Sequence, residues 1–252
     1  MIHIKSDAEI RLMRKAGQIL ALAFEAAAPL MVAGTNADDV DKIVEDTIRS
    51  HNAIPAFKNH PNADGVKFPY SVCFSINEEV VHGMPRGRKI ENGQIIGLDL
   101  GVIFQGYYAD SARTFSIGKI SAREEELVRV TRECLDLGIA QARAGARLSN
   151  IGHAVQTHAE KHKFSVIREL VGHGVGKSLH EDPQVPNYGL AGKGPLLRKN
   201  MVIAIEPMIA LGAPEVDMIG DWDVLTRDRK PAAHFEHTIV ITDGDAEILT
   251  VL

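Results

Sequence analysis

Apolar residues recur at helical spacing over two early and two late stretches of the chain. Ser6-Asp7-Ala8-Glu9 has the form of a capping box and opens a helix with Ile10, Met13, Ala16, Ile19, Leu20 and Ala23 on its apolar face. That helix stops near Pro29 to Gly34. Thr35-Asn36 starts a second helix through Val40, Ile43, Val44 and Ile48. Its last turn holds Arg49 and His51, which suits the negative end of the helix dipole. Further on, Glu124 to Ala144 reads as helix, Gly145 stops it, and Ser149-Asn150 begins another through Ala154 and His158.

The two helix pairs superimpose at a fixed offset. Ala33-Gly34 falls on Ala144-Gly145, Val40 on Ile151, Val44 on Val155 and His51 on His162. A strand repeat follows, with Asn92 to Ile96 leading to Asp99 and Lys199 to Ile203 leading to Glu206. Internal duplication explains these matches; chance agreement between amphipathic helices is the competing reading. Gln94 to Ile117 reads as a hairpin around Phe104-Gln105-Gly106. More strands are expected around Phe74–Asn77, Val166–Glu169, Met201–Glu206, Met208–Leu211 and Phe235–Thr242. Runs of strands and runs of helices indicate an α+β fold, an antiparallel sheet covered by two pairs of helices.

Composition narrows this picture. The 252 residues, 45% hydrophobic and 24% charged, suit one domain built of two similar halves, about 1–118 and 119–252. A formal charge of -5 argues against a broad grip on nucleic acid. Two cysteines make no disulfide framework, so a reducing cytoplasm is the expected compartment. The most apolar run, Ile19 to Ala33, is broken by Glu25 and Pro29 and is too short to span a bilayer. No secretory signal is expected, because the first residues reach charge at once.

The candidate chemistry lies among the strands. In a tight hairpin turning between Phe104 and Gln105, Asp99 and Asp110 would be direct cross-strand neighbours, about 5 Å apart at Cβ. Like charges so placed need a shared proton or a cation; two solvated edge aspartates are the other reading. Glu206 ends the apolar run Met201 to Ile205, and Glu236 lies between Phe235 and the run through Ile241. A buried carboxylate in such a setting needs a partner, whether a salt bridge or a metal. His173 stands between glycines in Gly172-His173-Gly174-Val175-Gly176, which lets backbone or ligand approach closely, although a structural histidine is equally open. Gly176-Lys177-Ser178 mimics the end of a phosphate-binding loop, but the required earlier glycine is Val171, so the match fails. Four carboxylates and one imidazole suit Mn, Fe(II), Co or Zn, and their charge would balance two dications.

These residues resemble the type I methionine aminopeptidases. The resemblance rests on Gly97-Leu98-Asp99, Gly106-Tyr107-Tyr108-Ala109-Asp110, Gly172 to Gly176, Ala204-Ile205-Glu206-Pro207-Met208 and Phe235-Glu236-His237-Thr238, in that order across nearly the whole chain. It implies the duplicated pita-bread fold and removal of N-terminal methionine from nascent chains whose second residue is small. It also implies two metal ions. Asp99 would chelate one, Asp110 and Glu236 would bridge, and His173 and Glu206 would bind the other. Glu206 would accept the proton of the attacking water, His180 would polarise the scissile carbonyl, and His82 would lie near the scissile amide. Cys73, Leu179 and Trp222 would line the methionine pocket. The segment from Ala53 to Ser71 is longer than the family pattern, and Phe57, Phe68 and Tyr70 are the candidates to replace the expected pocket residues.

Two other readings carry different expectations. An Xaa-Pro aminopeptidase or creatinase-like hydrolase would share the fold but usually adds a large N-terminal domain, for which this chain leaves no room. A binding homologue without catalysis would typically lose metal ligands, and all five positions are filled. A monomer with peptide and nascent-chain partners is expected. Transient ribosome proximity would follow from the function, although no basic patch argues for it.

Overall fold

Ser6 and Ser121 cap two long helices in the same way. Each hydroxyl accepts from the backbone N–H three residues on, and Glu9 or Glu124 reaches back to the cap residue's own N–H. The computed structural model describes residues 1–252. Helix α1 spans Asp7–Ala27, a 3-10 turn spans Ala28–Leu30, and α2 spans Ala37–Ser50. Strands β1 (Ile54–Pro55), β2 (Val72–Ile76), β3 (Glu79–Val81), β4 (Ile95–Phe104) and β5 (Tyr107–Ser116) complete the first half. The second opens with α3 (Ala122–Ala140), α4 (Ser149–Lys161) and β6 (Ser165–Val166). Strands β7 (Gly172–Gly174), β8 (Glu181–Val185), β9 (Val202–Ile205), β10 (Met208–Ala210) and β11 (Val216–Ile219) follow. The chain closes with β12 (Asp223–Thr226), β13 (Ala232–His234), β14 (His237–Val240) and β15 (Glu247–Ile248).

The expected helices and strands are present, with shifted ends. Helix α3 stops at Ala140, four residues before the sequence signal, because Gln141 to Ala146 form successive turns up to Gly145 at φ 85°. The expected strand Val166–Glu169 shrinks to Ser165–Val166. Glu206 and Glu236 lie just outside strands, in the breaks between β9 and β10 and between β13 and β14.

The end of each short helix repeats in detail. After α2, Asn52 takes a positive φ of 55° and the Ala53 N–H returns to the Ile48 carbonyl. After α4, Lys163 takes φ 60° and the Phe164 N–H returns to the Ala159 carbonyl. Such an αL cap satisfies carbonyls that the last turn leaves open. Short strands follow each, β1 and β6.

All strand pairings are antiparallel. β4 carries β5 on one side and β1 and β2 on the other. β15, β14, β9, β7 and β8 form the widest sheet, with β13-β10-β6 and β11-β12-β3 beside it. One core lies between α1, α2 and the β4 sheet, with Leu20, Phe24, Val44, Phe74 and Leu98 fully buried. In the second half, Leu135 and Ile151 pack on Ile203 and Ile239, while Val130, Val155 and Ile209 make a neighbouring core.

The hairpin register differs from expectation. Asp99 faces Ala112, and Asp110 faces Gly101. The turn is the two-residue Gln105-Gly106, with φ 49° and 81°, a backbone that matches the twist of tight hairpins. A turn centred one position later slips partners by two, so the aspartates are diagonal neighbours on one face.

β5 is sewn to the second half by side-chain hydroxyls. Asp110 N–H donates to Thr238 Oγ1 at 2.9 Å, and Thr238 O–H donates back to the Asp110 carbonyl at 2.8 Å. Ser111 O–H donates to the Glu236 carbonyl at 2.6 Å, and Thr114 O–H to the His234 carbonyl at 2.8 Å. The Glu236 N–H reaches the Ala112 carbonyl.

Helix α1 presses on the C-terminal segment at Gly17, where a Cβ would lie 2.1 Å from the Leu249 carbonyl oxygen. Alanine favours a helix over glycine, yet the clash is with backbone and cannot be relieved by a rotamer. Gly17→Ala is expected to destabilise by about 1–3 kcal/mol, with Tm falling roughly 2–4 °C per kcal/mol. Thermal unfolding checks this; a Tm at or above wild type would show that the contact is not tight.

Candidate active site

The seam between the halves places carboxylates from both on one cavity. β4 and β5 supply Asp99 and Asp110, the break after β9 supplies Glu206, and the break before β14 supplies Glu236. β7 supplies His173. Donor atoms of Asp110, His173 and Glu236 all lie within 4.8 Å of one another. His173 Nε2 is 3.4 Å from Glu206 Oε1 and 3.9 Å from Asp110 Oδ2.

The tautomer of His173 follows from its backbone partner. Nδ1 is 2.9 Å from the Gly174 carbonyl oxygen, which can only accept, so the proton sits on Nδ1. The Nε2 lone pair therefore faces the carboxylates, as a metal-ligating imidazole requires. Burial, with His180 nearby, pushes the His173 pKa down to about 3 and keeps the ring neutral.

The carboxyls move the opposite way. Burial raises Asp110 to about 7. Asp99 is raised well above the ordinary range, first by burial and then by the charges of Asp110 and Glu206. Glu206 is raised by burial and by Asp110. Glu236 is raised by burial and then by all three neighbours. Buried oxygens of Asp99, Asp110 and Glu236 have no hydrogen-bond partner. Unpaired buried oxygens, mutual repulsion and a neutral imidazole lone pair are what a divalent cation satisfies. The residues fit a metal centre.

The cavity measures about 740 Å³, within the usual range for a ligand site. Cys73, Leu179 and Trp222 line it, as do Phe57 and Phe68. Phe57, Phe68, Cys73 and Leu179 belong to one buried apolar cluster, against which Tyr70 and Trp222 pack. Phe68 and Trp222 meet edge to face at 5.0 Å. The segment before Ser71 folds back on itself, with Asn59 and His60 bonded to Phe68 and Pro61 paired with Lys67. Asn62 ties it to the Asp221 carbonyl, so it forms a wall beside Trp222.

His82 and His180 also line the cavity. His82 takes a positive φ of 60°, an uncommon backbone for a non-glycine residue, and its ring lies 6.1 Å from Trp222. Burial, followed by His180, lowers its pKa to about 4. The His180 ring is 4.4 Å from His173. Its turn is held by Glu181, whose carboxylate accepts from the Lys177 N–H and from the ammonium of the buried Lys5 at 2.6 Å.

One site residue escapes the sequence reading. His234 Nε2 is buried, without a hydrogen-bond partner, and 3.7 Å from Glu206 Oε2. Burial and His82 lower its pKa to about 3. It stands two positions before Glu236, and period-2 alternation from Glu236 is the signal that would have found it.

Comparisons with known proteins agree with this geometry. The profile described as metallopeptidase family M24 matches residues 11–243. Methionine aminopeptidase 1 of Bacillus subtilis is 47% identical over 251 residues, covering 99% of each chain. The crystal structure of a methionine aminopeptidase from Thermotoga maritima superimposes with a TM-score of 0.95 at 44% identity, covering both chains fully. A prolidase from Pyrococcus horikoshii matches with a TM-score of 0.78 at 25% identity, covering 98% of this chain and 63% of that one. The fold is therefore the pita-bread fold of these enzymes, and the chain belongs to the methionine aminopeptidases of metallopeptidase family M24.

Proposed function

We infer that this enzyme removes N-terminal methionine from peptides and nascent proteins by metal-dependent hydrolysis. The observation that carries the reading is the convergence of Asp99, Asp110, His173, Glu206 and Glu236 on one cavity with an apolar wall, with orphaned carboxylate oxygens. Two divalent ions suit four carboxylates by charge. Asp99, Asp110, His173, Glu206 and Glu236 would hold them, with Asp99 toward one ion, His173 and Glu206 toward the other, and Asp110 and Glu236 shared. Manganese, iron(II), cobalt and zinc all fit these donors. When bound, the metal supplies Lewis acidity toward the scissile carbonyl and lowers the pKa of water.

The chain's own residues do the rest. Glu206 accepts the proton of the attacking water; its flanking imidazoles, His173 and His234, stay neutral and do not claim that role. His180 donates a hydrogen bond to the scissile carbonyl oxygen as negative charge develops there. His82 lies near the scissile amide. Cys73, Leu179 and Trp222, with Phe57 and Phe68, receive the methionine side chain, whose polarisable sulfur suits aromatic walls. A small second residue is the expected requirement. The two halves, about 1–118 and 119–252, act as one catalytic unit, a division supported by the matched helix ends. Both cysteines are unpaired, which supports a cytoplasmic setting, and no helix is long and apolar enough to cross a membrane. A monomer acting on chains near the ribosome is our reading of its context.

Chelation is expected to abolish cleavage of a Met-Ala-Ser peptide, and added divalent metal to restore it; turnover that survives complete metal removal would refute the mechanism. In the same panel Ala-Pro peptides should remain uncut. Preferred Xaa-Pro cleavage would instead favour the prolidase-like reading, which the shared fold alone allows.

Glu206→Gln should fold normally and lose roughly 10²–10⁴ in kcat. Wild-type turnover in that variant would remove Glu206 from proton transfer.

Burial raises Asp110 to about 7 and lifts Glu206 and Glu236 above the ordinary carboxyl range, so the metal-free cluster retains protons that free carboxyls would have lost. Metal binding displaces them, on the order of one proton per chain or more. Calorimetric titration at pH 7 in buffers of different ionisation heat should show a buffer-dependent enthalpy. A buffer-independent heat would mean that the cluster is already ionised.

A further inference from the structure

The outer face of the second helix pair carries a separate cluster. His158 and His162 are one helical turn apart at the end of α4, so both project from one face. Their ring centroids are 4.9 Å apart. Glu133 and Glu126 reach them from α3. His158 Nε2 is 2.7 Å from Glu133 Oε2, and His162 Nδ1 is 3.0 Å from Glu126 Oε1. One donor atom each from Glu133, His158 and His162 lie within 4.8 Å of one another. None of these residues lines the catalytic cavity.

We propose that Glu133, His158 and His162 form a second metal site, of the zinc class, that clamps α4 to α3. Two imidazole nitrogens and one carboxylate oxygen are the donor types that zinc takes in tetrahedral sites, whereas calcium and magnesium prefer all-oxygen shells. Tetrahedral donors about 2.0–2.1 Å from the ion stand a little over 3 Å apart. The donors here need to close by no more than about 1–2 Å, which rotation of half-exposed side chains can supply. Glu126, already against His162, or a water completes the fourth position.

The neighbouring charges are consistent with one carboxylate oxygen left for the ion. Arg129 holds Glu133 Oε1 at 2.6 Å and leaves Oε2 toward His158. Arg123 holds Glu126 Oε2 in the same way, and Oε1 faces His162 at 3.0 Å with Arg129 farther off at 3.9 Å. Each arginine thus orients its carboxylate from behind, as partners outside a metal's own ligands do. The first half offers a comparison. Thr47 and His51 occupy the places of His158 and His162, and His51 is bonded to the Thr47 carbonyl. The paired imidazoles belong to the second half alone.

The catalytic centre also binds divalent metal, so the test counts ions. Purified enzyme and the double variant His158→Ala/His162→Ala are stripped, dialysed against zinc, and analysed for zinc per chain. The wild type should retain one more zinc ion per chain than the variant, while both cleave methionyl peptide at the same rate. Zinc beyond the catalytic complement should raise the wild-type Tm by roughly 2–4 °C and leave the variant unmoved. Glu133→Gln removes a ligand without opening the helix interface, and should weaken this extra binding at least tenfold. Equal zinc counts in wild type and both variants would show that the cluster is only a pair of hydrogen-bonded ion pairs, and would overturn the proposal.

Discussion

Four carboxyls share one buried cavity, and the rest of the architecture can be understood as the means of keeping them there. Repulsion between them would drive Asp110 and Glu236 apart if either segment could move. The hydroxyl seam prevents this. Thr238 takes both the N–H and the carbonyl of Asp110, and Ser111 takes the carbonyl of Glu236. Both backbones beside the carboxyls are thereby fixed, and only protonation or a cation is left to relieve the charge. The large cores on either side supply the stability that such a strained centre consumes. Leu98 and Leu100 flank Asp99 on the opposite sheet face, buried against α1 and α2, so β4 cannot rotate its aspartate away without exposing them.

The seam also explains why neither half suffices. The first contributes two aspartates; the second contributes His173, Glu206 and Glu236. Helix ends, αL caps and the strands after them recur at matching positions in both, and Asp99 recurs as Glu206, yet the site is asymmetric because the first half adds only Asp110 where the second adds His173 and Glu236. Asn92-Gly93 and Lys199-Asn200 open strands in both halves, with Gly93 at φ 88° and Asn200 at φ 67°. Asparagine tolerates that conformation, so the turn persists without glycine. Backbone geometry is repeated while side-chain chemistry diverges, as the Thr47 and His158 positions also show.

Legibility in the sequence followed the range of the interaction. The capping box at Ser6 and the apolar faces of the helices are local, so those elements could be read directly, whereas the matching box at Ser121 emerges only in the structure. Hairpin register depends on which two residues take positive φ, and Gln105 gives a weaker sign of this than asparagine would. The slip by two left Asp99 and Asp110 on the same face, so their association remained visible although direct opposition was lost. His234 was missed for a different reason, its one signal being the two-residue spacing to Glu236. Its neighbours Ala233 and Phe235 are those of any core strand, and its nearness to Glu206 is created by β10 pairing with β13, from Met208 to His234. The roles proposed for His82 and His180 rest on family resemblance, because no spacing in the chain dictates them.

The turn that carries His180 shows how remote segments position a residue of the cavity wall. Glu181 cannot hold that turn alone, because its carboxylate would be a nearly buried charge without a cation. Lys5, 6% exposed, provides one, and the backbone N–H of Lys5 is in turn anchored to the Asn200 carbonyl before β9. The two ions hold each other below the surface, and burial makes their pairing geometrically demanding. Gly176 is required by the same arrangement, since a Cβ there would lie 2.3 Å from the Glu181 carboxylate. The position of His180 over the cavity is therefore set jointly by the N-terminal segment, by Asn200 and by a glycine. The Gly172 to Gly176 run serves two separate ends, with Gly174 giving the carbonyl that orients His173 and Gly176 giving the room that seats Glu181.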